Sequence, residues 1–114
     1  MRKIATLALV AIAALVALPG FAGVAQPAPT ITVKVGDFFF KPGQKTVRRG
    51  TKVRFKWVGN SPHNVVKTRG PGGRLRSRIT SKRGVNFVRR FTKRGTYRLI
   101  CTLHPWMKMR LRVR

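Results

Sequence analysis

Apolar and cationic residues alternate one for one in Val53-Arg54-Phe55-Lys56-Trp57 and again from Met107 through Lys108, Met109, Arg110, Leu111 and Arg112 to Val113 and Arg114. Successive side chains of a β-strand point to opposite faces, so each run is a half-buried strand with one apolar and one cationic face. Ile31, Val33 and Val35 alternate with Thr32 and Lys34 in the same way, and Tyr97, Leu99 and Cys101 form a further inward set after a turn at Gly95. Val85 to Phe91 reads as a strand whose Arg89 falls on the side of Phe87 and Phe91, which predicts a bulge or an edge position there. Gly, Pro and Asn punctuate the joins at Lys41-Pro42-Gly43, Gly59-Asn60-Ser61-Pro62 and Gly70-Pro71-Gly72-Gly73. No stretch keeps a helical period. The reading is all-β: about seven or eight short strands forming one small antiparallel sandwich or barrel over residues 31–114. Phe38-Phe39-Phe40 reads as the buried end of the first strand.

The N-terminal residues follow a different plan. Arg2 and Lys3 precede an apolar run from Ile4 to Leu18, Pro19-Gly20 breaks it, and small residues continue to Ala25. A membrane span needs about 20 apolar residues, so this shorter run reads as a secretory signal peptide over residues 1–25. Cleavage after Ala25, or alternatively after Ala22, leaves an extracytoplasmic protein, periplasmic or secreted, with residues 26–30 as a Pro/Ala-rich lead-in. The single cysteine lies far downstream, so no cysteine stands at the cleavage site to take a lipid anchor.

Lys and Arg number 26 against one acidic residue, Asp37, for a formal charge of +25. One carboxylate excludes glycosidase pairs, aspartic-protease dyads and oxygen-rich calcium sites. The charge points to anionic partners: an acidic redox protein, a membrane surface, a cell-wall polymer, or nucleic acid bound non-specifically.

Candidate chemistry gathers in Cys101-Thr102-Leu103-His104-Pro105-Trp106-Met107. A thiolate, an imidazole and a thioether stand three residues apart around a proline that interrupts regular structure. The other histidine, His63, follows the Gly59-Pro62 turn and can supply a fourth ligand from a neighbouring loop. Two imidazoles and a thiolate with a weak axial thioether suit copper in both oxidation states, whereas structural zinc prefers four strong donors. One copper ion is the expected cofactor. Four filled positions leave none for a substrate, so the reading is a carrier of single electrons and not an enzyme.

The run from Phe91 to Met107, with Ser61-Pro62-His63-Asn64-Val65 upstream, resembles the plastocyanin/azurin-like cupredoxins, and its short C-x2-H-x2-M loop is most similar to amicyanin. The resemblance implies a Greek-key β-sandwich with type 1 copper at one end, His63, Cys101 and His104 as equatorial ligands and Met107 as the axial one. It also implies that the Asn64 N–H reaches the Cys101 sulfur and that the Asn64 side chain bonds across to Thr102. Ile100 stands where plant plastocyanins have a tyrosine, so electrons are expected to pass through the edge of His104, framed by Pro105 and Trp106. Similar proteins usually have a glycine where this chain has Met109.

Two rival functions remain. A secreted polyanion- or nucleic-acid-binding β-domain is supported by the row Lys52, Arg54, Lys56 and the row Lys108 to Arg114, but lacks exposed aromatics among them, since Val53, Phe55 and Trp57 point the other way. A copper-delivery protein would use the same four ligands. The protein is expected to be monomeric.

Overall fold

The computed structural model describes residues 27–114. The expected signal peptide, its expected cleavage site and Gln26 lie outside the described residues. Eight strands are present: β1 Thr30–Gly36, β2 Phe39–Lys41, β3 Gln44–Val47, β4 Thr51–Trp57, β5 Val66–Arg69, β6 Gly84–Phe91, β7 Gly95–Cys101 and β8 His104–Val113. They form two four-stranded sheets, ordered β2-β1-β4-β6 and β3-β8-β7-β5. The described residues contain no helix. The all-β expectation holds, including the number of strands.

Alternation sets the core. Val33, Val35, Val53, Phe55 and Trp57 point inward from the first sheet, and Tyr97, Leu99, Met109, Leu111 and Val113 face them from the second. Fully burying one such side chain stabilises by roughly 1.5–3 kcal/mol, and the intervening Arg and Lys stay in water at no comparable cost. The cationic rows therefore lie on the two outer faces, as the sequence predicts.

The strand pairing departs from that expectation in one respect. Of six strand pairings, β1–β4 and β3–β8 are parallel. The intervening β2 and β3 lie in opposite sheets, so the chain crosses between layers and returns to each sheet in the same direction. Arg89 lies on the edge strand β6, its guanidinium 4.2 Å from the centre of the Phe87 ring, and the β4–β6 register shifts between Phe55 and Lys56. Of the two alternatives expected at Arg89, the edge position is the one found; the bulge lies three residues earlier, at Asn86, which has no partner between Val85 and Phe87.

The phenylalanine triplet is a correction. Only Phe40 is buried; Phe38 and Phe39 are 50% and 45% exposed. Phe38 adopts φ 77°, a conformation rare for an aromatic residue. This turn interrupts the alternation between β1 and β2, so β2 can bury only the middle residue of its own run.

Candidate metal centre

One end of the sandwich gathers the histidines and the cysteine. Cys101 closes β7 and His104 opens β8, with a two-residue turn at Thr102 and Leu103 between them. Pro105 is thus the second residue of a strand, where its missing N–H leaves no gap in the ladder, which resumes at Lys108 opposite Ile100. His63 lies three residues ahead of β5, outside any strand. It forms a bridge with Thr80, exchanging backbone hydrogen bonds of 3.0 and 3.1 Å. The Arg- and Gly-rich segment before β6 thereby folds back along β5 and clamps the histidine backbone, and the Trp57 indole N–H donates to the His63 carbonyl at 3.3 Å.

His63 Nδ1 lies 3.8 Å from the Cys101 sulfur, and His104 Nδ1 lies 3.7 Å from it. The three ligand atoms all fall within 4.8 Å of one another. Bonds of about 2.0 Å to nitrogen and 2.3 Å to sulfur, at 120° around one ion, separate the donors by about 3.7 Å. The donor set therefore fits a single metal in a trigonal plane. His63 and Cys101 are inaccessible to solvent, and Met107, three residues after His104, is 1% exposed. The described residues offer no ring of oxygens around this point, so the soft donor set selects copper over calcium or magnesium.

Around the three donors, Asn64 spans the two loops. Its Oδ1 accepts from the Thr102 N–H at 2.8 Å and its Nδ2 donates to Thr102 Oγ1 at 2.9 Å. The contact from the Asn64 N–H to the Cys101 sulfur is not among the hydrogen bonds of the described residues. Pro105 and Trp106 sit on the rim, Trp106 65% exposed with its ring 5.4 Å from that of His104.

Two residues beside the donors were not singled out for this site by the sequence. Asp37, in the turn after β1, accepts from His63 Nε2 at 2.9 Å, from the Asn60 N–H at 2.9 Å and from the Ser61 N–H at 2.9 Å. A carboxylate only accepts, so Nε2 carries the ring proton and Nδ1, turned toward the sulfur, is free to bind a metal. A Cβ at Gly59 would collide with this carboxylate, which explains the glycine. The backbone N–H of Asn60, then the His63 ring, then the Ser61 N–H hold Asp37 down to about pKa 2, from 3.8. That shift fixes a sign. The bonds contribute fully above about pH 4 and are lost as pH falls through about 2. Denaturant midpoints of the copper-free protein are expected to drop between pH 4 and pH 2, and Asp37→Asn is expected to flatten that stretch; a flat wild-type profile would mean that the carboxylate is not engaged. Phe38 is the second residue missed. Its ring meets the His104 ring edge-on at 4.8 Å. That Asp37 is the chain's one carboxylate was a visible signal, but nothing in the sequence aims it at His63.

Known proteins agree with this geometry. The family model for copper-binding proteins of the plastocyanin/azurin family matches residues 28–114. Amicyanin-alpha of Methylorubrum extorquens is 33% identical over 89 residues, covering 72% of this chain and 70% of that protein. Two solved structures cover 82% of this chain and 88% of their own at 28% identity: a reduced tryptophan-to-tyrosine variant of amicyanin with a TM-score of 0.65, and the Cu(I) form of a methionine-to-alanine variant at 0.66. With a donor set that suits one copper ion at the end of an eight-stranded sandwich, the chain belongs to the plastocyanin/azurin family of copper-binding proteins, as a type 1 copper electron-transfer protein.

Proposed function

We propose that the protein is an extracytoplasmic carrier of single electrons, with His63, Cys101 and His104 as equatorial copper ligands and Met107 as the axial one. The observation that carries this reading is the near-equal spacing of the two Nδ1 atoms from the Cys101 sulfur. A copper ion held by these residues would supply a Cu(I)/Cu(II) couple that accepts one electron from a donor protein and passes it to an acceptor. The chain's part is to keep the donors still: Asp37 holds the tautomer of His63, the Thr80 bridge holds its backbone, and Asn64 ties its loop to Thr102. Donors that barely move make the electron exchange fast.

His104 is the ligand that reaches toward solvent, between Phe38, Pro105 and Trp106, and this edge is the route for electrons to and from a redox partner. The formal charge of +25 favours an acidic partner. Delivery of copper to another protein would need ligand exchange, which the buried Cys101 and His63 oppose. The protein acts as a monomer, with residues 1–25 removed on export.

The test is to load the protein with copper, record its visible spectrum and titrate its potential. An intense thiolate-to-copper band is expected in the oxidised form, and Met107→Leu is expected to keep the band while raising the reduction potential. A colourless oxidised protein would end the carrier reading, and a potential indifferent to Met107 would remove that residue from the ligand set.

A further inference from the structure

Large exposed apolar side chains are not scattered evenly over the described residues. Phe38, Leu103 and Trp106 crowd the metal end. Phe39, Val85 and Val88, at 45%, 37% and 39% exposure, project from the outer face of the first sheet. The strands of the second sheet contribute only Trp106, at the metal end, and Ile79, 53% exposed, stands alone in the segment between β5 and β6.

Cations surround the three apolar groups on that first face. Lys34 stands directly opposite Lys41 on one side and Lys56 on the other, and Lys56 is opposite Val85. The next rungs pair Arg54 with Val88 and Lys52 with Arg90. Neighbouring strands are about 4.8 Å apart, and like charges directly opposite one another repel. The chain supplies no carboxylate to relieve them, because Asp37 is committed to His63 and the turn at Asn60.

We propose that this face docks on the surface of an anionic phospholipid bilayer, with Phe39, Val85 and Val88 entering the headgroup layer and the lysines lying over lipid phosphates. A broad sheet with separated apolar contacts suits a planar surface. Single-stranded nucleic acid is bound through successive aromatic platforms in a groove, and this face has one aromatic and two valines, which cannot stack on bases. Lysine is depleted at protein–protein interfaces and common at lipid surfaces, where a mobile ammonium finds phosphate without fixed geometry. Phe39 follows Phe38 in sequence, so the docked face borders the metal end and leaves the His104 edge pointing along the membrane toward partners in it.

The proposal rests on the extracytoplasmic carrier reading for its purpose, but vesicle binding and the visible spectrum are separate readouts, so either can fail alone. Co-sedimentation with phosphatidylglycerol/phosphatidylcholine vesicles at about 0.15 M salt tests it. Each lysine facing the bilayer is worth about fivefold, so the pair Lys34→Gln and Lys56→Gln is expected to weaken binding by about 25-fold. Arg110→Gln with Arg112→Gln removes the same charge from the other sheet and is expected to cost no more than about twofold. Phe39→Ser, which changes no charge, is expected to weaken binding by about tenfold. All these side chains are exposed, and unchanged melting curves confirm that the variants fold. Equal losses from the two charge pairs would reduce the effect to net charge and overturn the proposal. So would vesicle binding indifferent to Phe39→Ser, or a loss on that substitution seen only with a single-stranded oligonucleotide.

Discussion

In copper-loaded protein, Cys101→Ser is expected to abolish the intense visible absorption altogether. That band requires a sulfur orbital overlapping the metal, and a serine hydroxyl at neutral pH is a protonated, hard oxygen that offers none. Cys101 is inaccessible to solvent and has both imidazoles as its polar neighbours. No other cysteine exists to replace it. Copper affinity is expected to fall by more than the roughly 10–100-fold typical of losing an outer partner of a ligand. The fold is expected to survive, since Cys101 contributes a small share of a core held by residues from both sheets. Titration of Cys101→Ser with Cu(II), followed by absorption, checks both statements. Retention of even a weakened band would show that the colour arises elsewhere.

Phe55→Ala is expected to have the largest effect on stability. Phe55 is completely buried in β4, an interior strand of the first sheet, and its ring packs against Phe87 at 5.6 Å between centroids. Removing a buried phenylalanine costs roughly 3–5 kcal/mol, a large part of the 5–15 kcal/mol that holds a typical domain together. A chain this short has little in reserve, since a small domain buries only about 60% of its unfolded surface. Mutual repulsion among 26 basic residues with one acidic counterpart reduces that reserve further. The copper-free variant is therefore expected to be largely unfolded near room temperature. Copper at about 100 times its dissociation constant adds about 2.7 kcal/mol to any state that binds it, so loading is expected to restore much of the fold. Denaturant midpoints with and without copper measure the difference. A copper-free midpoint shifted by the equivalent of less than about 1 kcal/mol would contradict the packing described for β4.

The metal loop shows how local information becomes structure. Cys101, His104 and Met107 lie within one turn and the start of one strand, so their proximity follows from chain connectivity, and the sequence alone makes them a set. His63 is different. Its arrival beside Cys101 depends on β5 pairing with β7, Val66 opposite Ile100, on the Asn64 bonds to Thr102 and on the bridge to Thr80, all contacts between residues far apart in sequence. The count of ligand types made His63 a candidate partner and the resemblance to cupredoxins gave it the same role; alternation alone did not place it beside Cys101.

β1, β4, β6, β7 and most of β8, their inward faces and the two cationic surfaces were legible in the residues themselves, because a period of two assigns each side chain to a face before any partner strand is known; β2, β3 and β5 are too short to show that period. Three things needed the folded chain: the parallel pairing of β1 with β4 and β3 with β8, the carboxylate of Asp37 behind His63, and the outward turn of Phe38 and Phe39. Each depends on where a turn places segments that are distant in sequence. Turn geometry is set by backbone dihedrals and by contacts across the sandwich, and these leave no periodic trace in the order of residues.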